Sequence, residues 1–218
     1  MEVLYEDNHI ILVNKKAGEI TQGDKTGDIP LSEKIKQFIK QRDNKSGNVF
    51  LGTVHRLDRP VSGVILFSKT SKSLIRLNKM FQEKQIQKTY WAKCIIPPKV
   101  ESNKLVHFLV KDSKKNKTKA HIRQISNGKK SELIYNHLRN HKINNLLEVK
   151  PLTGRPHQIR VQLASIGCII VGDLKYGALS PNLDKSICLH ARKIEFIHPV
   201  SRVKIDVTAP LPKGIWNK

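Results

Sequence analysis

The sequence predicts an α+β protein with a mixed, largely antiparallel central sheet flanked by a few helices and loops. Three observations predict it. Short apolar or alternating runs of strand length recur along the whole chain, only three segments have helical spacing, and no regular alternation of strand and helix repeats. At 218 residues and 39% hydrophobic content the chain can build one generous core, so residues 1–218 are expected to form a single domain.

The elements follow in order. Residues 3–5 and 10–13 are apolar runs separated by Glu6-Asp7-Asn8-His9, which reads as a hairpin with turn formers at its tip. After a Gly- and Asp-rich loop over 18–28, Leu31, Ile35, Phe38 and Ile39 share one helical face, and a loop over 43–48 follows. Val64-Ile65-Leu66-Phe67 suits a strand buried on both faces. Thr70 or Ser71 can cap the next helix, which carries Leu74, Leu77 and Phe81.

Further strands are expected over 86–95, 105–111, 120–125, 132–139, 146–151, 186–196 and 203–207. A third helix over 156–166 would hold Pro156 in its first turn, place Ile159, Leu163 and Ile166 at helical spacing, and stop at Gly167.

Lys plus Arg number 40 against 18 Asp plus Glu, giving a net charge of +22 and a field that attracts polyanions. Nucleic acid is the leading partner. No apolar run is long enough to cross a membrane, and no basic amphipathic helix opens the chain. The first residues lack the basic and apolar regions of a secretory signal, so a cytoplasmic protein is expected. Cys94, Cys168 and Cys188 lie far apart without a Cys-x-x-Cys pair, which argues for three buried, inert thiols.

Residues 111–130 hold seven Lys and one Arg against one Asp. They read either as a solvated hairpin tip or as an arm that contacts phosphates, with Lys114, Lys115 and Lys117 as the contacts. Both readings stay open.

The densest segment is His55-Arg56-Leu57-Asp58-Arg59-Pro60-Val61-Ser62-Gly63, a carboxylate between two arginines in a loop punctuated by Pro60 and Gly63. By residue type alone, Asp58 is better read as a turn cap or a surface ion pair than as a catalyst.

That segment resembles the His-Arg-Leu-Asp signature of the RluA-type RNA pseudouridine synthases, whose catalytic aspartate corresponds to Asp58. Asn14-Lys15-Lys16-Ala17-Gly18, Lys88-Thr89-Tyr90 and the run from Leu152 to Arg160 match the same family in order. Gly172-Asp173, Lys175-Tyr176-Gly177 and Leu189-His190-Ala191 continue the resemblance. Val61 and Lys16 depart from the family's usual Thr and Pro, and neither removes an acid, base or nucleophile. With its first motif starting at residue 14, the chain resembles the compact members that lack an N-terminal RNA-binding module.

The resemblance implies the pseudouridine synthase catalytic fold and isomerisation of uridine in structured rRNA or tRNA. Asp58 would attack uracil C6 or remove the ribose 2′-proton, and the sequence leaves both routes open. Arg160 would pair with Asp58 and Tyr90 would stack on the extruded uracil, against the plainer readings of a helix-surface charge and a core tyrosine. Arg56 is the candidate for filling the space left by the flipped base. His55 is expected to shape its loop by hydrogen bonding, and His157 and Gln158 the pocket. Together with Arg56, Arg59 and Arg155 they form the candidate RNA-binding set.

No metal and no organic cofactor are expected, because His157 and His190 sit in no metal-ligand cluster and the chemistry is not hydrolytic. A monomer without an obligate protein partner is expected. The chief rival is a non-catalytic RNA-binding protein that uses the same charge. A deaminase would need a zinc set, and a nucleotide-binding methyltransferase a Gly-rich turn, and the sequence has neither.

Overall fold

The computed structural model describes residues 1–23, 26–139 and 141–216. In chain order the elements are β1 (Glu2–Glu6), β2 (Ile10–Lys15), α1 (Leu31–Arg42), β3 (Gly52–Thr53), β4 (Ser62–Ser68), α2 (Ser71–Gln82), β5 (Gln87–Lys93) and β6 (Ser102–Asp112). They continue with β7 (Lys117–His121), β8 (Lys129–His137), β9 (Leu146–Pro151), α3 (Gln158–Ser165), a 3-10 turn at Leu174–Tyr176, β10 (Leu189–Ile197) and β11 (Lys204–Thr208). The α+β expectation holds: strands dominate, and α1 to α3 are the three segments with helical spacing.

The chain divides into two compact units, one of residues 1–87 and 191–210, the other of 88–190 and 211–218. In the first, the strands run in the order β1-β2-β4-β10, with β3 also on β4 and β11 on β10. Every residue of β4 is buried, because β2 and β3 both pair with it and its faces are covered. Asp7 builds the first hairpin: its Oδ1 accepts the amides of His9 at 2.7 Å and Ile10 at 2.9 Å. The buried His198 reaches Asp7 Oδ2 through Nε2 at 2.9 Å and accepts the amides of Val200 and Ser201 on Nδ1, joining two hairpin turns.

Helix α1 starts without a side-chain cap at Pro30; the amides of Leu31 and Ser32 go to the carbonyls of Ile20 and Thr21 instead. Helix α2 is capped by Thr70, whose hydroxyl accepts the Ser73 amide at 3.1 Å.

Gly63 explains why the signature needs a glycine at the second position of the buried strand β4. Its φ is +116°, and a Cβ there would lie 2.3 Å from the Ala191 carbonyl oxygen, so only glycine lets the two main chains approach.

In the second unit the order is β5-β9-β8-β6-β7, with antiparallel neighbours throughout. Helix α3 packs on this sheet: buried Gln162 Nε2 donates toward the carbonyls of Leu105 and Ser131 and lies 3.1 Å from His107 Nδ1. Cys94, Cys168 and Cys188 are free and buried, and burial pushes all three thiols up in pKa, the Cys188 thiol to about 11, as expected of inert side chains.

Several boundaries differ from the sequence expectation. β7 runs over 117–121 rather than 120–125, because the register Asp112↔Lys117 closes the hairpin within the lysine run. Helix α3 begins at Gln158: His157 sits outside it in the left-handed region at φ 55°, so Pro156 precedes the helix instead of occupying its first turn. β10 begins at Leu189 because Asp184 folds a turn onto the Ser186 amide. The short β3 and the 3-10 turn had no readable periodicity.

Candidate active site

The loop that carries Asp58 is built around a buried cation. Lys15, at the end of β2 and only 1% exposed, points its Nζ at the carbonyls of Val61 (2.6 Å), Lys16 (3.1 Å), Arg59 (3.2 Å) and Asp58 (3.4 Å). Burial pulls its pKa down to about 8, while the carboxylates of Glu19 and Asp58 act in the opposite direction. Around it, the Val61 amide donates to the Asp58 carbonyl at 3.0 Å and the Gly18 amide to the Arg59 carbonyl at 2.8 Å. The Thr21 hydroxyl bridges the amide and carbonyl of Leu57. The backbone of residues 57–61 is therefore held by main-chain and side-chain groups of the segment 15–21.

His55 joins this segment to β4: its Nε2 accepts the Leu66 amide at 3.0 Å, which places the ring proton on Nδ1, and the ring lies against Phe81. Arg56 is exposed. The Arg59 guanidinium engages Asp28 and the Thr26 hydroxyl, tying residues 26 and 28 to the Asp58 segment.

The second unit holds the other candidates. Tyr90 is buried on β5, opposite Val149. Lys88 lies two residues earlier on the same strand, beside Gly154, and burial lowers its pKa. The 153–158 turn is braced by Gln158, whose Oε1 accepts from the Thr153 hydroxyl at 2.8 Å and the Arg155 amide at 3.0 Å, and whose Nε2 donates to the Glu132 carbonyl. This leaves Arg155 exposed at the turn. Arg160 forms a buried two-point pair with Asp173, Nε to Oδ2 and Nη2 to Oδ1, both at 2.7 Å. Lys114, Lys115 and Lys117 are exposed on the β6–β7 hairpin.

Residue-level reading of the sequence missed three participants. Lys15 and Asp173 lay inside matched motifs, but their burial is a tertiary property. Thr118, whose hydroxyl donates to the Pro156 carbonyl of the 153–158 turn at 3.0 Å, sat unnoticed in the lysine run. Among the described residues no group of three or more His, Cys, Asp and Glu side chains is arranged to hold a metal ion. No helix among them is long and apolar enough to cross a membrane.

Residues 9–165 match the family described as RNA pseudouridylate synthase. The chain belongs to that family. Its members isomerise uridine to pseudouridine in RNA. The chain is 34% identical to "Ribosomal large subunit pseudouridine synthase C" of Buchnera aphidicola from Schizaphis graminum, covering 96% of this chain and 67% of that protein. It is 35% identical to the protein of the same name from Rickettsia bellii, over 96% of this chain and 68% of that one. It thus spans about two thirds of the length of these relatives. The solved structure of human RNA Pseudouridylate Synthase Domain Containing 4 shares the pseudouridine synthase fold, with a TM-score of 0.79 over 97% of this chain and 89% of that one at 21% identity.

Proposed function

We propose that this chain converts uridine to pseudouridine in large-subunit ribosomal RNA, with Asp58 as its catalytic carboxylate. The observation that carries the reading is the fixed loop: a buried lysine and the segment 15–21 hold the backbone of residues 57–61, which fixes the point from which the half-buried Asp58 projects. A surface ion pair needs no such support. The substrate class follows that of the relatives, two of which are named as ribosomal large subunit pseudouridine synthases.

The reaction breaks C1′–N1, turns the uracil and joins C1′ to C5; the C5 proton is lost and N1 gains one, so nothing is consumed. Asp58 serves either by adding to C6 or by taking the 2′-proton, and each route needs a positioned carboxylate. By the motif resemblance, Arg160 is the arginine partner of that carboxylate, and its pair with Asp173 supports the role by fixing the guanidinium plane. Tyr90 holds the uracil ring. Arg56, exposed two residues before Asp58, occupies the vacated stack, with Arg59, Arg155 and the hairpin lysines on phosphates. We propose further that both units act as one cofactor-free, monomeric catalytic domain in the cytoplasm.

The test is to incubate the protein with large-subunit rRNA and tRNA transcripts and map pseudouridine by carbodiimide chemistry, beside Asp58→Asn. Modification of rRNA by the wild type, and a loss of at least about a thousandfold in Asp58→Asn with RNA binding retained, is expected. Equal binding by both proteins with no modification by either would instead make the chain a non-catalytic RNA binder.

A further inference from the structure

We propose that Tyr176 is a positioning residue for the isomerisation: its hydroxyl holds His157 in one tautomer and ties it to the lysine-rich hairpin, while its ring carries the Arg160 guanidinium. This rests on the reading of Arg160 as a site residue.

Tyr176 closes the 3-10 turn three residues after Asp173, whose carbonyl accepts the Tyr176 amide at 3.0 Å. The ring is buried against Leu109 and Val161 with Ala120 and Ala164 around them, so its position is set by the core of its unit. Three polar groups then converge on it.

The first is the backbone of β7: the Thr118 amide donates to the Tyr176 hydroxyl at 2.9 Å. The second is His157, with Nδ1 2.9 Å from the same hydroxyl. With one N–H already donated to the oxygen, the phenol's single proton is satisfied by donating to Nδ1. That makes Nδ1 the acceptor and puts the neutral imidazole's proton on Nε2. Burial raises the phenol's pKa, which keeps that proton in place.

His157 also has reason to need a holder. Its φ of 55° and ψ of 18° are left-handed, a conformation that non-glycine residues adopt at a cost and keep only where the surroundings enforce it. The Tyr176 hydroxyl on the ring and the Thr118 hydroxyl on the neighbouring Pro156 carbonyl at 3.0 Å supply that enforcement.

The third group is Arg160, whose guanidinium carbon lies 5.1 Å from the Tyr176 ring centroid while Asp173 takes Nε and Nη2. Ring and carboxylate together fix the plane and the height of the guanidinium. Lys117 Nζ lies 5.5 Å from the same centroid. One side chain therefore touches the hairpin proposed to grip phosphates, the strained histidine and the proposed partner of the catalytic carboxylate. Rotation of a detached base is sensitive to ångström-scale displacement of the groups around it, so a fixed link of this kind matters to rate more than to binding.

Tyr176→Phe tests the claim because it keeps the ring and removes only the hydroxyl. Nitrogen-15 NMR of His157 should show a single Nε2–H tautomer in the wild type and a mixture in Tyr176→Phe. The variant should lose on the order of tenfold to a hundredfold in kcat with RNA Kd within about twofold. His157→Asn, which tolerates the left-handed backbone and keeps an acceptor near the Nδ1 position, should retain more activity than His157→Leu. An unchanged tautomer, or wild-type kcat in a Tyr176→Phe protein that only melts earlier, would reduce Tyr176 to a structural brace and overturn the proposal. The NMR readout needs no turnover, so a wild type inactive on every RNA would sink the enzyme reading while still deciding the Tyr176–His157 link.

Discussion

Lys15 shows how much one side chain can decide. Its ammonium has three N–H bonds and four carbonyl oxygens within 2.6 to 3.4 Å, so the grip on residues 58–61 requires the protonated form. In the folded protein that proton leaves as pH rises through about 8, whereas an unfolded lysine keeps it to about 10.5. Between those values the unfolded chain binds more protons, so this group's contribution to folding stability rises with pH even as its hold on the loop loosens. Activity should therefore fall above about pH 8 while circular dichroism stays native, and Lys15→Met should be weakly active and lack that alkaline limb. Single-turnover profiles of both proteins check this; the same limb in Lys15→Met would assign it to another group. Nothing local announced the role. A lysine after Asn14 reads as surface by type, and only the pairing of β2 with β4 buries it.

At the level of elements, the legible parts were those with strong periodicity. Leu31, Ile35 and Ile39 bury one face of α1, and Val64 to Phe67 lie in the wholly buried β4, because their patterns need only a core to face. What stayed hidden depended on partners: the start of β7 is set by its register with β6, and that of α3 by a left-handed His157 held from elsewhere in its unit. Gly63 joins the two kinds. Its place beside Ser62 was visible as part of the motif, but its reason, the Ala191 main chain at 2.3 Å from any added Cβ, was not. Gly63→Ala should consequently force β4 and β10 apart and give insoluble protein or a lowered denaturation midpoint, measured by urea titration followed by circular dichroism. A midpoint equal to wild type would mean that these main chains can separate freely. The Asp58 loop leads straight into this strand, so a soluble variant should also lose activity.

For the whole molecule, the net charge of +22 was countable from composition, but where it acts was not. The fold gathers part of it on the β6–β7 hairpin, where the one acid of the segment, Asp112, is occupied in accepting the Lys115 amide at 3.0 Å. Lys114 and Lys115 are exposed at the tip, and neither is the lysine that lies over Tyr176. Replacing both with Ala should thus leave the Tyr176 contacts intact and remove only phosphate neutralisation. Each phosphate contact contributes roughly 0.7 to 0.9 to the slope of log K against log salt, so the double variant should flatten that slope by about 1 to 2. Filter binding to an rRNA transcript across a salt series measures it, and kcat at saturating RNA should stay near wild type because these lysines position and do not react. A slope unchanged by the double substitution would return the hairpin to the reading of a solvated loop. The RNA would then be held by Arg56 and Arg59, on the Asp58 segment itself.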